Sequence, residues 1–141
     1  MKKAMLMGVA LSLTLIGSSF AVTDLSIQEV KAKIDSMEEM VILDVREPWE
    51  FEGGHIEGAI NLSWTSGVLE ENYALLPTDK PILVVCQSGR RSEAASTWLE
   101  AQGSDEVLNM LGGMGSWEYD VVTGATGVEL VSWGWIKAGR R

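Results

Sequence analysis

The sequence predicts an α/β fold in which a mainly parallel sheet carries helices on both faces. Three observations point there. Short, largely apolar runs at 41–43, 81–86 and 107–111 have the length and unbroken character of strands buried on both sides. The stretches between them show caps and helical spacing, as crossover helices require. Apolar residues make up 46% of the 141 and charged residues 22%, which is globular usage in one domain's worth of chain.

Taken in order, the chain opens on Met1-Lys2-Lys3, an apolar run over 4–16, and small residues at Ser19 and Ala21. That is the three-part pattern of a secretory signal peptide, with cleavage expected after Ala21. The rival, an uncleaved anchor helix, needs about 20 predominantly apolar residues, and this run turns polar after Ile16. The domain is expected over 22–122 and a tail over 123–141. Ser26-Ile27-Gln28-Glu29 reads as a capping box opening a helix over 26–36, with Ile27, Val30, Ile34 and Met37 on its apolar side. A buried strand follows at 41–43, ending at Asp44. Pro48 starts a short helix through Trp49 and Phe51 that Gly53-Gly54 ends. Residues 59–62 read as a second strand, and 64–76 as partly helical, closed by Pro77. The strongest strand is 81–86, ending at Cys86. After a polar turn at 87–91, Ser92 is expected to cap a helix carrying Ala95, Trp98 and Leu99, with Gly103 as its stop. A strand at 107–111, a turn at Gly112-Gly113 and a short helix over 114–121 complete the domain.

Charge and cysteine content narrow the function. Eleven basic residues against 20 acidic ones leave a net charge of −9, which opposes a nucleic-acid role, because phosphate binding needs clustered positive charge. One cysteine and one histidine cannot supply a four-ligand structural zinc site. An exported chain with a single cysteine carries either a buried, inert thiol or a reactive one. The neighbours of Cys86 favour the second. It stands at the carboxyl end of the expected central strand, where open α/β sheets bind ligands. Gln87-Ser88-Gly89-Arg90-Arg91 can turn its N–H groups inward as an anion nest, and the following helix adds its positive end. These features, with Arg90 or Arg91 nearby, favour thiolate over thiol.

Arg91 lies five positions after Cys86, one fewer than in cysteine-dependent phosphatases, so the loop encloses room for one extra sulfur and too little for a phosphoryl group. Together with Asp44-Val45-Arg46-Glu47, Glu50-Phe51, the 54–62 segment from Gly54-His55-Ile56, Ser92, Gly112-Gly113 and Trp117, the chain resembles the single-domain rhodanese family of sulfurtransferases, of the exported type. The resemblance implies a five-stranded sheet and two-step sulfur transfer through a Cys86 persulfide. The expected partners are a small anionic donor, thiosulfate or polysulfide, and a cyanide or thiol acceptor, with no cofactor, metal, nucleic acid or lasting membrane anchor. Gln87, Ser88, Gly89, Arg90 and Arg91 would bind the donor and stabilise the persulfide. Asp44, Arg46 and His55 are expected to support the fold rather than form a Cys–His–Asp triad. Trp49, Trp64, Trp98 and Trp117 are expected in the core or the pocket wall. Trp133 and Trp135 in the tail offer a surface for packing, a homodimer or a protein partner, and the expected location is the periplasm. The alternatives are a non-enzymatic sulfane-sulfur carrier or partner-binding module, and a phosphatase or arsenate reductase on the same fold.

Overall fold

The structure, a computed structural model, describes residues 21–125; nearly all of the expected leader and the Trp133 and Trp135 segment lie outside them. Five strands form one sheet: β1 (Thr23–Leu25), β2 (Val41–Asp44), β3 (Ile60–Asn61), β4 (Ile82–Val85) and β5 (Val107–Met110). Their spatial order is β1-β5-β4-β2-β3, and every neighbouring pair is parallel. The α/β class and the parallel sheet are therefore as the sequence predicts. β2, β4 and β5 are buried along their whole length, and only the edge strands reach solvent. This is why their sequences read as continuous apolar runs rather than alternating ones.

Alternate strand residues feed two cores. Val41, Leu43, Ile82, Val84 and Cys86 pack on one face with Leu69 of α3 (Val68–Asn72) and with Ala95 and Leu99 of α4 (Arg90–Ala101). Ile42, Leu83, Val85 and Leu108 pack on the other with Ile27 and Val30 of α1 (Ile27–Asp35) and Phe51 of α2 (Pro48–Gly53). Helix α1 starts as expected: Glu29 N–H donates to the Ser26 hydroxyl at 3.3 Å, and Ser26 N–H donates to the Glu29 carboxylate at 2.8 Å, satisfying two otherwise unpaired donors.

Four local expectations are corrected. Strand β1 was not foreseen; two of its three residues are exposed, so little in it marks a strand beyond its pairing with β5. The cap of α4 is Gly89, not Ser92, because a left-handed glycine at φ 93° makes the turn into the helix and places Ser92 inside the first turn. The helix expected over 114–121 is only a 3-10 turn, Met114–Ser116, ended by an extended backbone at Trp117. Trp49 is 73% exposed: on α2 it is Phe51 that turns inward. Trp64 and Trp98 do pack against the core, their rings 5.9 Å apart, and Tyr73 meets Trp98 edge-on at 5.0 Å.

The packing of α4 is directly testable. Leu99 is fully buried and Thr97 faces solvent, so Leu99→Ala should destabilise the fold by about 3 kcal/mol and Thr97→Ala by no more than about 0.5 kcal/mol. Denaturant unfolding of the two variants checks the orientation.

Candidate active site

Cys86 directly follows β4, and α4 begins four residues later. The chain can reverse in so few residues because Gly89 adopts a left-handed backbone, which glycine reaches without strain. The reversal aims the Gly89 N–H at the Cys86 sulfur, 3.1 Å away. The Cys86 Sγ lies 3.4 Å from the Ser92 hydroxyl, and that hydroxyl donates to the Gly89 carbonyl at 3.0 Å. Burial pushes the Cys86 thiol up, but the Ser92 hydroxyl and the amides of Ser92, Ser88 and Gly89 more than offset it, holding the thiol below its usual value. Ser92 is thus a residue of the sulfur's own surroundings. When the thiol loses its proton, the Ser92 O–H can turn from the Gly89 carbonyl and donate to the anion.

The back of the loop is clamped by the segment after β5. Met114 N–H donates to the Cys86 carbonyl at 2.7 Å, and Gly115 N–H to the Gln87 carbonyl at 2.8 Å. Gly113 lies so close that a Cβ there would sit 2.5 Å from the Cys86 carbonyl oxygen and 2.6 Å from the Gln87 carbonyl carbon. Gly113 therefore does more than form a turn: it lets one backbone lie directly on another.

Two ion pairs brace the loop from the α2 side. Arg46 and Asp44 are both buried. Arg46 donates to the Asp44 carboxylate from Nε at 3.0 Å and from Nη2 at 2.7 Å, to the Gly54 carbonyl at 2.7 Å, and to the Gln87 side-chain oxygen at 3.4 Å. This ties the end of β2, the exit of α2 and the loop into one network, in keeping with a supporting role. The Asn61 amide, not anticipated as part of it, donates to the Asp44 and Arg46 carbonyls at 3.0 and 2.8 Å. Arg91 is not a free cation. It grips Glu50 with two hydrogen bonds of 2.7 and 2.8 Å, which hold the Glu50 carboxyl below its usual range. Arg90 is exposed and makes no ion pair among the described residues, and Gln87 and Ser88 are also exposed.

His55 is fully buried. Its Nδ1–H donates to the Phe51 carbonyl at 2.8 Å, and its ring stacks on Phe51 at 3.5 Å. Its Nε2 has no partner, and no hydrogen bond joins it to Cys86 or Asp44 among the described residues. The described residues therefore show no hydrogen-bonded Cys–His–Asp chain.

Comparison with known proteins agrees with this architecture. A model of the Rhodanese-like domain matches residues 26–120. The chain is 37% identical over 97 residues to YrkF of Bacillus subtilis (strain 168), a provisionally named sulfur carrier protein, covering 69% of this chain and 51% of that one. It therefore spans about half the length of that relative. It is 36% identical over 84 residues to the thiosulfate sulfurtransferase GlpE of Pseudoalteromonas translucida (strain TAC 125), covering 57% of this chain and 75% of that one. The crystal structure of a rhodanese-related protein from Thermoplasma volcanium superposes with a TM-score of 0.63 at 34% identity, covering 71% of this chain and 97% of that one.

Two predictions follow from the geometry. Gly113→Ala should cost at least about 2 kcal/mol, since it adds a backbone clash to a left-handed strain. Gly53→Ala, where a Cβ meets nothing within 4 Å, should be close to neutral, and thermal melts of the pair check this. Ser92→Ala removes a donor to the thiolate, so the Cys86 pKa should rise and alkylation at neutral pH should slow severalfold. The pH profile of iodoacetamide modification measures both effects.

Proposed function

Because the chain belongs to the rhodanese-like domain family, we propose that it is a sulfurtransferase that carries sulfane sulfur on Cys86. The observation behind this reading is the set of donors converging on the Cys86 sulfur, with the Gly89 amide at 3.1 Å, at the end of a buried central strand. Holding the thiol below its usual pKa raises the share of thiolate, the nucleophilic form.

In the first step the Cys86 thiolate attacks the outer sulfur of thiosulfate. The bond between the outer and central sulfur atoms of thiosulfate breaks, sulfite leaves with its electron pair, and a Cys86 persulfide anion remains. The loop amides stabilise that anion as they did the thiolate. In the second step a nucleophile attacks the terminal sulfur. Cyanide yields thiocyanate, a thiolate yields a new persulfide, and Cys86 thiolate is regenerated. Polysulfide enters the first step in the same way, with a shorter polysulfide leaving. The leader-like residues 1–21 support a periplasmic site of action.

The likeness to YrkF favours one second reading, a carrier that is loaded once and unloaded by a dedicated partner. The five-residue spacing from Cys86 to Arg91 weighs against a phosphatase or arsenate reductase.

Exposure to thiosulfate should add about 32 Da, one sulfur atom, to the intact protein, as a covalent intermediate demands. Cyanide should remove that mass, and Cys86→Ser should not acquire it. An unchanged mass would overturn the persulfide. Loading without repeated thiocyanate production would select the carrier.

A further inference from the structure

The charge around the loop is arranged in a way that the persulfide chemistry alone does not require. Arg91, on the first turn of α4, gives two hydrogen bonds to Glu50 on α2 at 2.7 and 2.8 Å. The Glu50 side chain is 12% exposed and that of Arg91 is 27% exposed, so the pair is partly withdrawn from water and its charges largely cancel at the pocket. Besides Glu50, Arg91 feels the negative charges of Cys86 and Glu47. Glu47 is itself fixed, accepting from the Ser63 hydroxyl at 2.5 Å. The other paired arginine, Arg46, is buried and matched by Asp44. Arg90 is the loop's cation without an ion pair among the described residues, and Glu93 stands exposed on the same turn of α4. The whole chain carries −9.

A dianion approaching this mouth gains from one uncompensated guanidinium and is opposed by the field of the protein. With Arg90 set against Glu93 and a net charge of −9, the balance opposes anions, and a monoanion meets that net repulsion at half strength, while the amides around Cys86 still receive the transferred sulfur. Resting on the sulfurtransferase reading above, we propose that Glu50 is a specificity-determining residue that masks Arg91 and so tunes the site toward singly charged sulfur donors, the hydrodisulfide and persulfide class, over doubly charged thiosulfate. With such a donor the Cys86 thiolate attacks the outer sulfur, the donor's sulfur–sulfur bond breaks, hydrosulfide or an alkyl thiolate leaves with the electron pair, and the Cys86 persulfide forms without any oxidant. Glu50 acts through Arg91 and touches no reacting atom.

The test measures second-order rates of sulfur loading onto the reduced full chain by thiosulfate and by hydrodisulfide, followed by intact mass. Glu50→Gln exposes one positive charge, so the thiosulfate rate relative to the hydrodisulfide rate should rise about tenfold, the effect of roughly one extra unit of donor charge in a partly wet site. Glu50→Asp, which keeps the charge, should stay near the wild-type ratio. An unchanged ratio in Glu50→Gln, with both donors loading, overturns this inference and leaves the sulfurtransferase reading standing. Failure of both donors to load the unaltered protein overturns both. Should Glu50→Gln not fold, the unaltered protein decides: added sodium chloride should leave thiosulfate loading unchanged or speed it by screening the protein's own negative field. A steep slowing with salt would mean that positive charge dominates the field at the mouth despite the Glu50 pairing, and would overturn the proposal.

Discussion

The hydrogen bond from the Gly89 amide to the Cys86 sulfur depends on a backbone reversal that only a left-handed residue completes in this space, and the site is assembled around that reversal. Strand β4 must end in register with β2 and β5 to place Cys86 at the sheet edge. Helix α4 must begin at once, so that its first unpaired amides face the sulfur rather than water. Cys86 belongs to the packed face shared with Val84, Ala95 and Leu99, so the sulfur is fixed by the same burial that stabilises the domain. Core and site are one structure here.

Electrostatics act at two ranges. Close to the sulfur, neutral dipoles dominate: the amides and the Ser92 hydroxyl outweigh the opposing effect of burial. Farther out, full charges are matched in pairs, Arg46 with Asp44 and Arg91 with Glu50. Matched pairs brace without projecting a strong field. The paired arginines therefore hold the loop in shape, and the amides hold the charge.

Much of this was legible because the relevant residues are contiguous. A continuous apolar run names β4, and Cys86 through Arg91 place thiol, glycine and helix start within one short segment. The capping box at Ser26 was equally local. What escaped depends on partners distant in sequence. Glu50 and Arg91 are 41 residues apart, and nothing near either one announces the pair. Gly113 reads as a turn former until the Cys86 and Gln87 carbonyls are seen against it. Strand β1 is defined by its neighbour β5, and the Met114 and Gly115 amides find their acceptors on another loop. Ser92 was noticed, but its role shifted because Gly89 had already taken the capping position.

The clamp behind the loop has one more effect. With the Cys86 and Gln87 carbonyls both engaged from outside by Met114 and Gly115, neither peptide plane is free to spin and bring an oxygen lone pair round to the sulfur. The polarity of the nest is consequently set when the chain folds. An anion taken up on the proposed reading would exchange its hydration shell for dipoles already in position, so its capture would demand little rearrangement of the main chain.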